Sequence, residues 1–526
     1  MKKLLVTVLI LFGTLFCDNL EKSIDRLLSK EYNDTTPSIS VAVISNKKMV
    51  YKKAFGKASL ELNVPATPQS VYRIGSLSKQ ITAVAILMLI QDEEIKPGDR
   101  LIDYFPELPD SVYGEITIEQ MIYHTSGIRD SENMYALMDI AFSQWYTHNM
   151  LLKMLKRQEG LSFPPDRQYE YSNSAYTLLA LIVERVTGQK FHEYVNEKIF
   201  QSLGMTQTKI QISDKTFIQN RAAGYKIVDG KYVNWMTNNQ LVGHDAVYSS
   251  VEDLYLWQQA VESDRIGNYR LENMKIPGKF NDGSSGNYGY GLIMGNYRGL
   301  DYYCHDGWYV GYKAFIITFP TEDFAVIALS NLGNKNVRPY ALQIIDLYLK
   351  DKFNNKELTS IKESKKFTKI SNCKKFVRPE LGGFKTLESI ENAFYISPIA
   401  DGEFCTADYM TRLKIADSGF IQYTSYGSRH RYIPLQRIPL SNEEKGQITG
   451  DYFSDELDNQ AKIYSENDKL MLEIGLETVE IIQFAKDELA SDSSKLKLIR
   501  DQNGTIIGFT YSTYSVRGIK FTRITF

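Results

Sequence analysis

Residues 81 to 90 read Ile-Thr-Ala-Val-Ala-Ile-Leu-Met-Leu-Ile, with one hydroxyl and no charge. A helix of that composition is apolar on every side, so it has to be buried on every side. The fold must therefore supply a core that surrounds it. At its head stands Ser76-Leu77-Ser78-Lys79, preceded by Gly75. On a helix, residues i and i+3 share a face. Lys79 then stands beside Ser76 and can hold or relay its hydroxyl proton. Gly75 and Ser76 also fall at the predicted helix start, where open N–H groups and the dipole favour negative charge. A buried helix headed by Ser and Lys is a scaffold for nucleophilic catalysis.

The S-x-x-K spacing alone is common. It recurs at Ser45/Lys48, Ser371/Lys374 and Ser494/Lys497, all in turn-like, lysine-rich or hairpin settings. Ser76 by itself reads equally well as a helix N-cap. Two further segments set it apart. Tyr171-Ser172-Asn173 lies just before a second apolar helix, predicted over 175–186, whereas Tyr194/Asn196 and Tyr232/Asn234 repeat only the spacing. His305-Asp306-Gly307 occurs once, in a predicted strand. Singly, these are a packed loop tyrosine, an N-cap asparagine and a half-buried strand histidine. Their order and local context together point to one site.

At 526 residues the chain is too long for one small core. A net charge of −2 offers nothing to a polyanion, so no nucleic-acid partner is expected. Lys2 and Lys3 followed by the apolar run from Leu4 to Phe16 read as an export leader, 1–17, too short to span a bilayer comfortably. Cys17 follows, and the alternatives there are lipidation, which would anchor the chain to a membrane, or cleavage nearby. Export implies a periplasmic or secreted protein. Cys304, Cys373 and Cys405 do not make a disulfide framework, although Cys373 and Cys405 have the option of pairing. There is no C-x-x-C and the six histidines are scattered, so no metal site is expected.

Strands are predicted at 38–44 and 49–55, turning at Asn46-Lys47, and again between 292 and 330, with helices between and a last helix over 337–349. That pattern predicts an α/β (α+β) domain over 18–350, an antiparallel sheet flanked by helices. Residues 351–376 are rich in Lys, Ser, Thr and Asn and read as a linker. From 377 to 526 the rhythm is hairpins: 412–415 with 420–423, 461–464 with 470–472, and 496–500 with 506–511. These predict a small all-β barrel-like domain. Because every motif precedes the linker, this part is expected to fold separately and to leave the core chemistry alone.

The ordered set S-x-x-K, Y-x-N and His-x-Gly resembles the serine penicillin-recognising enzymes, in the branch with class C β-lactamases and D-alanyl-D-alanine carboxypeptidases. Met121-Ile122-Tyr123-His124-Thr125-Ser126-Gly127, the stretch from Tyr248 to Leu254, and Tyr288-Gly289-Tyr290-Gly291 support it. The resemblance covers about residues 20–350. It implies an acyl-enzyme on Ser76, proton work shared by Lys79 and Tyr171, and amide recognition by Asn173. His305, Asp306 and Gly307 would contact substrate, and the N–H groups of Ser76 and Trp308 would form the oxyanion hole. No cofactor is implied. The implied substrate is a small peptide, ester or β-lactam, with D-amino-acid cell-wall peptides first. Esterase, D-aminopeptidase and β-lactamase activities stay open, as does a receptor that binds without turnover, which retention of Ser76, Lys79 and Tyr171 counts against. His305 stands where true class C β-lactamases carry lysine. Asp306 stands where Thr or Ser is common, and its charge is expected to repel substrates with a free carboxylate. His124 and His244 are expected to serve loop packing. The C-terminal part resembles the lipocalin-like barrels appended to some members.

Overall fold

The computed structural model describes residues 19–525, apart from 142–143, 264–270 and short stretches between 355 and 426. The predicted leader and Cys17 lie outside the described residues. Among those described, no helix is long and apolar enough to cross a membrane.

The chain forms two compact units. The first comprises residues up to Ala85, Gln189–Lys275 and Gly299–Asn354, and the second Ile86–Gly188, Ile276–Arg298 and Asn355–Phe526. The division does not fall at the predicted linker. It falls inside the apolar helix, and it groups the Tyr171 segment with the C-terminal β region.

In the first unit β1 (Ile39–Ser45) and β2 (Lys48–Phe55) form the expected hairpin. Asn46 and Lys47 both take positive φ, 51° and 62°. That is the two-residue turn whose twist matches paired strands. Strands β3 (Leu300–Tyr309), β4 (Tyr312–Phe319) and β5 (Phe324–Ser330) complete a run in the order β3-β4-β5-β1-β2, antiparallel throughout. Both faces are covered. Tyr51 and Lys53 bond Asp25 on helix α1 (19–29), while Lys52, on the opposite face, pairs with Glu252. Glu252 belongs to the helix Val251–Val261. Buried on both sides, β5 reads Phe-Ala-Val-Ile-Ala-Leu-Ser with every residue inside. Helix α2 (Ser78–Gln91) is buried from Ile81 to Leu89, as its composition requires.

The second unit holds helix α3 (Asn173–Thr187) and two β structures. The expected barrel is present: eight strands from Gly450–Ser454 to Val516–Arg523, closed by Tyr452 opposite Arg523 and Phe453 opposite Thr522. Closure leaves no open edge. Ahead of it stands a second eight-stranded sheet, built from strands between Thr359 and Pro434, with its own core of Phe376, Phe404, Phe420 and Tyr432. One barrel was expected here, because the hairpin at 412–423 has the same rhythm as the later ones. Cys373 and Cys405 are not joined, and the Cys373 thiol donates to the Lys375 carbonyl at 2.9 Å.

Inside this unit the C-terminal part packs on the helices through buried charged groups, which argues against the separate folding expected of it. Arg129 and Glu456 form a salt bridge with both side chains almost wholly buried, 4% and 3% exposed. Arg129 also donates to Gln158 Oε1 at 2.7 Å, and Asp130 N donates to the Ser515 carbonyl at 2.9 Å. Arg517 of the barrel pairs with buried Glu170. Removing one member of a buried pair strands the other charge, at a cost of about 3–5 kcal/mol. Glu456→Gln is therefore expected to lower the unfolding free energy in urea by about that amount. A chain ending at Lys352 should fail to give a soluble cooperative fold, and a change under about 1 kcal/mol in Glu456→Gln would remove the Arg129 clamp from this account.

Candidate active site

Ser76 sits in a 3-10 turn, Gly75–Leu77, that leads directly into α2. In such a turn residues three apart eclipse one another. Lys79 Nζ accordingly lies 3.1 Å from Ser76 Oγ. It also donates to the His244 carbonyl at 3.0 Å. Lys79 is fully buried, and from residue 71 to 80 Ser76 alone is partly open to solvent.

The turn is shaped by a close backbone approach from β3. A Cβ on Gly307 would lie 1.9 Å from the Ile74 carbonyl oxygen, so no larger residue fits there. Gly75 has φ +56°, and a Cβ on it would stand 2.6 Å from the backbone nitrogen of Trp308. Both glycines are therefore required by contact. The β3–β4 hairpin turns through Val310-Gly311, with Tyr309 opposite Tyr312. Tyr309 is then the ladder-bonded residue, and the Trp308 N–H turns away from β4. It faces the Gly75–Ser76 turn, where an oxyanion donor is needed.

Alternate residues of β3 point to opposite faces. His305 is 1% exposed and its Nδ1 donates to the Asp306 carbonyl at 2.6 Å, which leaves Nε2 as the acceptor. Burial pushes this imidazole down to about 3, and the Lys79 and Arg338 cations add to the push. His305 is therefore neutral near pH 7. Asp306 points the other way. Its carboxylate is bound by Arg338, with Nε at 3.2 Å from Oδ1, on the face where Trp308 Nε1 donates to the Gly333 carbonyl. The expected charge repulsion from Asp306 is thus corrected: the acid is neutralised by Arg338, on the side opposite His305.

Tyr171 and Asn173 lie together in the second unit. Ser172, not Asn173, is the N-cap of α3, accepting from Ala175 N at 3.2 Å. Asp130 Oδ2 accepts the Asn173 backbone N–H at 2.7 Å. His124, with φ +58°, accepts from Ser172 N through Nδ1 at 3.0 Å, and its ring lies 4.4 Å from that of Tyr171. His124 thus packs the loop that carries Tyr171, bonding its backbone and lying against its ring.

One network was not foreseen from the sequence. Arg73, fully buried, donates to both oxygens of Asp245, with Nε at 3.1 and 2.9 Å, and to Gln211 Oε1 at 2.9 Å. Asp245 follows His244, so this pair fixes the carbonyl that anchors Lys79. The one sequence signal is a lone arginine in the apolar run Val71-Tyr72-Arg73-Ile74. Among the described residues no cluster of His, Cys, Asp or Glu is arranged to hold a metal ion.

The beta-lactamase family model matches residues 24–349. The chain belongs to the beta-lactamase family. It is 27% identical over 308 residues to a penicillin-binding protein of Bacillus subtilis (strain 168), covering 54% of this chain and 65% of that protein. The chain thus spans somewhat under two thirds of that relative's length. It is 25% identical over 520 residues to the D-aminopeptidase of Brucella ovis, covering 93% of this chain and 96% of that protein. Among solved structures, the octameric penicillin-binding protein homologue from Pyrococcus abyssi aligns with TM-score 0.56 at 22% identity, over 89% of this chain and 99% of that one. The D-amino acid amidase from Ochrobactrum anthropi SV3 aligns with TM-score 0.54 at 21% identity, over 64% and 99%. At these identities the structures speak for the fold. The chain thus has the beta-lactamase fold and is related to penicillin-binding proteins and D-aminopeptidases.

Asp306→Asn should leave the preference between acidic and neutral substrates unchanged, within about threefold, while lowering the melting temperature by breaking the Arg338 pair. A selective gain for carboxylate substrates would restore the repulsion model. His305 takes up its proton near 6.5 when unfolded and near 3 when folded. The unfolded chain therefore binds more protons between those values, and stability is lost as pH falls from about 6.5 toward 3, by up to about 1.4 kcal/mol per unit. His305→Gln should flatten that slope between pH 4 and 7 in urea titrations. An unchanged slope would contradict a neutral, buried His305.

Proposed function

We propose that this protein is an exported serine hydrolase that cleaves peptides or amides of D-amino acids through an acyl-enzyme on Ser76. The observation that carries the reading is Lys79 Nζ at 3.1 Å from Ser76 Oγ, with the lysine fully buried and anchored on the His244 carbonyl. A lysine so placed can take up and return the serine hydroxyl proton. In this reading Ser76 Oγ attacks the substrate carbonyl and its proton passes to Lys79, with Tyr171 taking the share in the proton work that the family resemblance implies. The developing oxyanion is met by the Ser76 and Trp308 N–H groups. The C–N bond then breaks as the amine takes that proton. Water repeats the sequence on the ester and releases the acid.

Neutral His305 favours one branch of the family's activities. An uncharged imidazole offers no ion pair to a free C-terminal carboxylate beside Ser76, which a carboxypeptidase would have to bind. The full-length likeness to the D-aminopeptidase of Brucella ovis supports the same branch. The test compares kcat/KM for a D-alanyl anilide, an N-acyl-D-alanyl-D-alanine peptide and a chromogenic β-lactam. The D-alanyl anilide is expected to be turned over best, by about tenfold or more, with the L-alanyl anilide poor. Preference for the acylated dipeptide would shift the reading to a carboxypeptidase, and turnover of the β-lactam alone to a β-lactamase.

A further inference from the structure

The C-terminal sheet of the second unit carries cations that its own acids do not neutralise. Strand Lys375–Val377 pairs with Phe384–Thr386 on one side and Arg429–Pro434 on the other. The register sets Lys385 opposite Phe376 and Phe376 opposite Pro434. Lys385, His430 and Tyr432 therefore share the face that bears the apolar core, at its margin. Lys385 Nζ lies 5.8 Å from the Tyr432 ring centre. Arg378, just beyond the strand, is 9% exposed. Its guanidinium makes a single hydrogen bond among the described residues, from Nε to the Gly382 carbonyl at 3.2 Å.

The barrel brings two more groups. The ring of Tyr514 stands 6.2 Å from that of His430. Arg517 pairs with Glu170, the residue before Tyr171, and its Nε is buried without a hydrogen bond. Three cations thus gather near two buried carboxylates, Glu170 and Asp130, both already engaged, and the exposed Glu380. Neither Arg378 nor Lys385 forms an ion pair with a carboxylate of the described residues. Burial and mutual repulsion lower the proton affinity of both, and push His430 down to about 3, so His430 is neutral near pH 7. Cations held half out of water without a counterion are costly, and one oxyanion would give each a charge-assisted hydrogen bond. A guanidinium fork beside an ammonium, a phenol and an imidazole fits a carboxylate or a phosphate.

We propose that Arg378, Lys385 and Arg517, with His430 and Tyr514, form an oxyanion-binding site adjoining the Tyr171 segment. Its occupant is either a free anion or a carboxylate carried by the substrate, and the second source rests on the hydrolase reading above. Two arms on the full-length protein separate them. In the first, melting is followed with inorganic phosphate against chloride at equal ionic strength. Phosphate should raise the melting temperature of the wild type, and Lys385→Gln should lose that rise while Lys385→Arg keeps it. In the second, matched D-alanyl peptides with and without an acidic side chain are compared. A preference of about tenfold for the acidic peptide, abolished in Lys385→Gln with the neutral peptide unchanged, identifies the substrate as the source. A phosphate response without that preference assigns the site to a free anion. If neither peptide is cleaved, the hydrolase reading fails and the phosphate arm alone decides. No phosphate-specific rise and no acidic preference overturn the proposal.

Discussion

The approach of the β3 backbone to the Ile74–Ser76 turn is the contact on which the Ser76–Lys79 arrangement depends. Gly307 leaves no room for a side chain beneath the Ile74 carbonyl, and Gly75 takes a left-handed conformation against Trp308. That contact fixes the start of α2 and turns the Trp308 N–H toward it. It also decides which face of the strand His305 occupies. From there the spacing of three between Ser76 and Lys79 becomes a distance of 3.1 Å. The all-round burial of α2 holds the lysine from behind, since a helix with no polar face has no second position to adopt.

Charges are buried here only where the fold supplies their partners. Arg73 and Asp245 neutralise each other behind the His244 carbonyl, and Arg129 and Glu456 do so where the barrel meets the helices of its own unit. Such pairs give little net stability, but breaking one is costly, so they hold a geometry more than they strengthen the fold. Both lie one step from the chemistry. Arg73 acts through the carbonyl that anchors Lys79. Arg129 adjoins Asp130, whose carboxylate caps the Asn173 N–H. The barrel is in this sense part of the scaffold for the Tyr171 segment.

What the sequence revealed was local or periodic. The hairpin at Asn46-Lys47, the bare apolar helix, the barrel hairpins and the three motifs all follow from spacing within about fifteen residues. What it concealed was long-range. Arg73 and Asp245 are 172 residues apart, and no local pattern joins them. The face taken by Asp306 depends on the register of β3 against the Ile74 turn, so its pairing with Arg338 could not be read beforehand. The sheet before the barrel was merged with it, because hairpin rhythm does not say which strands close on which. The tie between Glu456 and Arg129 likewise spans 327 residues, which is why the C-terminal part looked independent.

The central claim is that Ser76, activated by Lys79, is the nucleophile. The most direct measurement is intact-protein and peptide mass spectrometry after brief exposure to a slowly released acylating probe. The account predicts one adduct per chain, on Ser76, absent from Ser76→Ala. It also predicts that Ser78 stays unmodified, because Ser78 lies about 200° further round the helix. An adduct on Ser78 or another residue, or none on a folded protein, would contradict it.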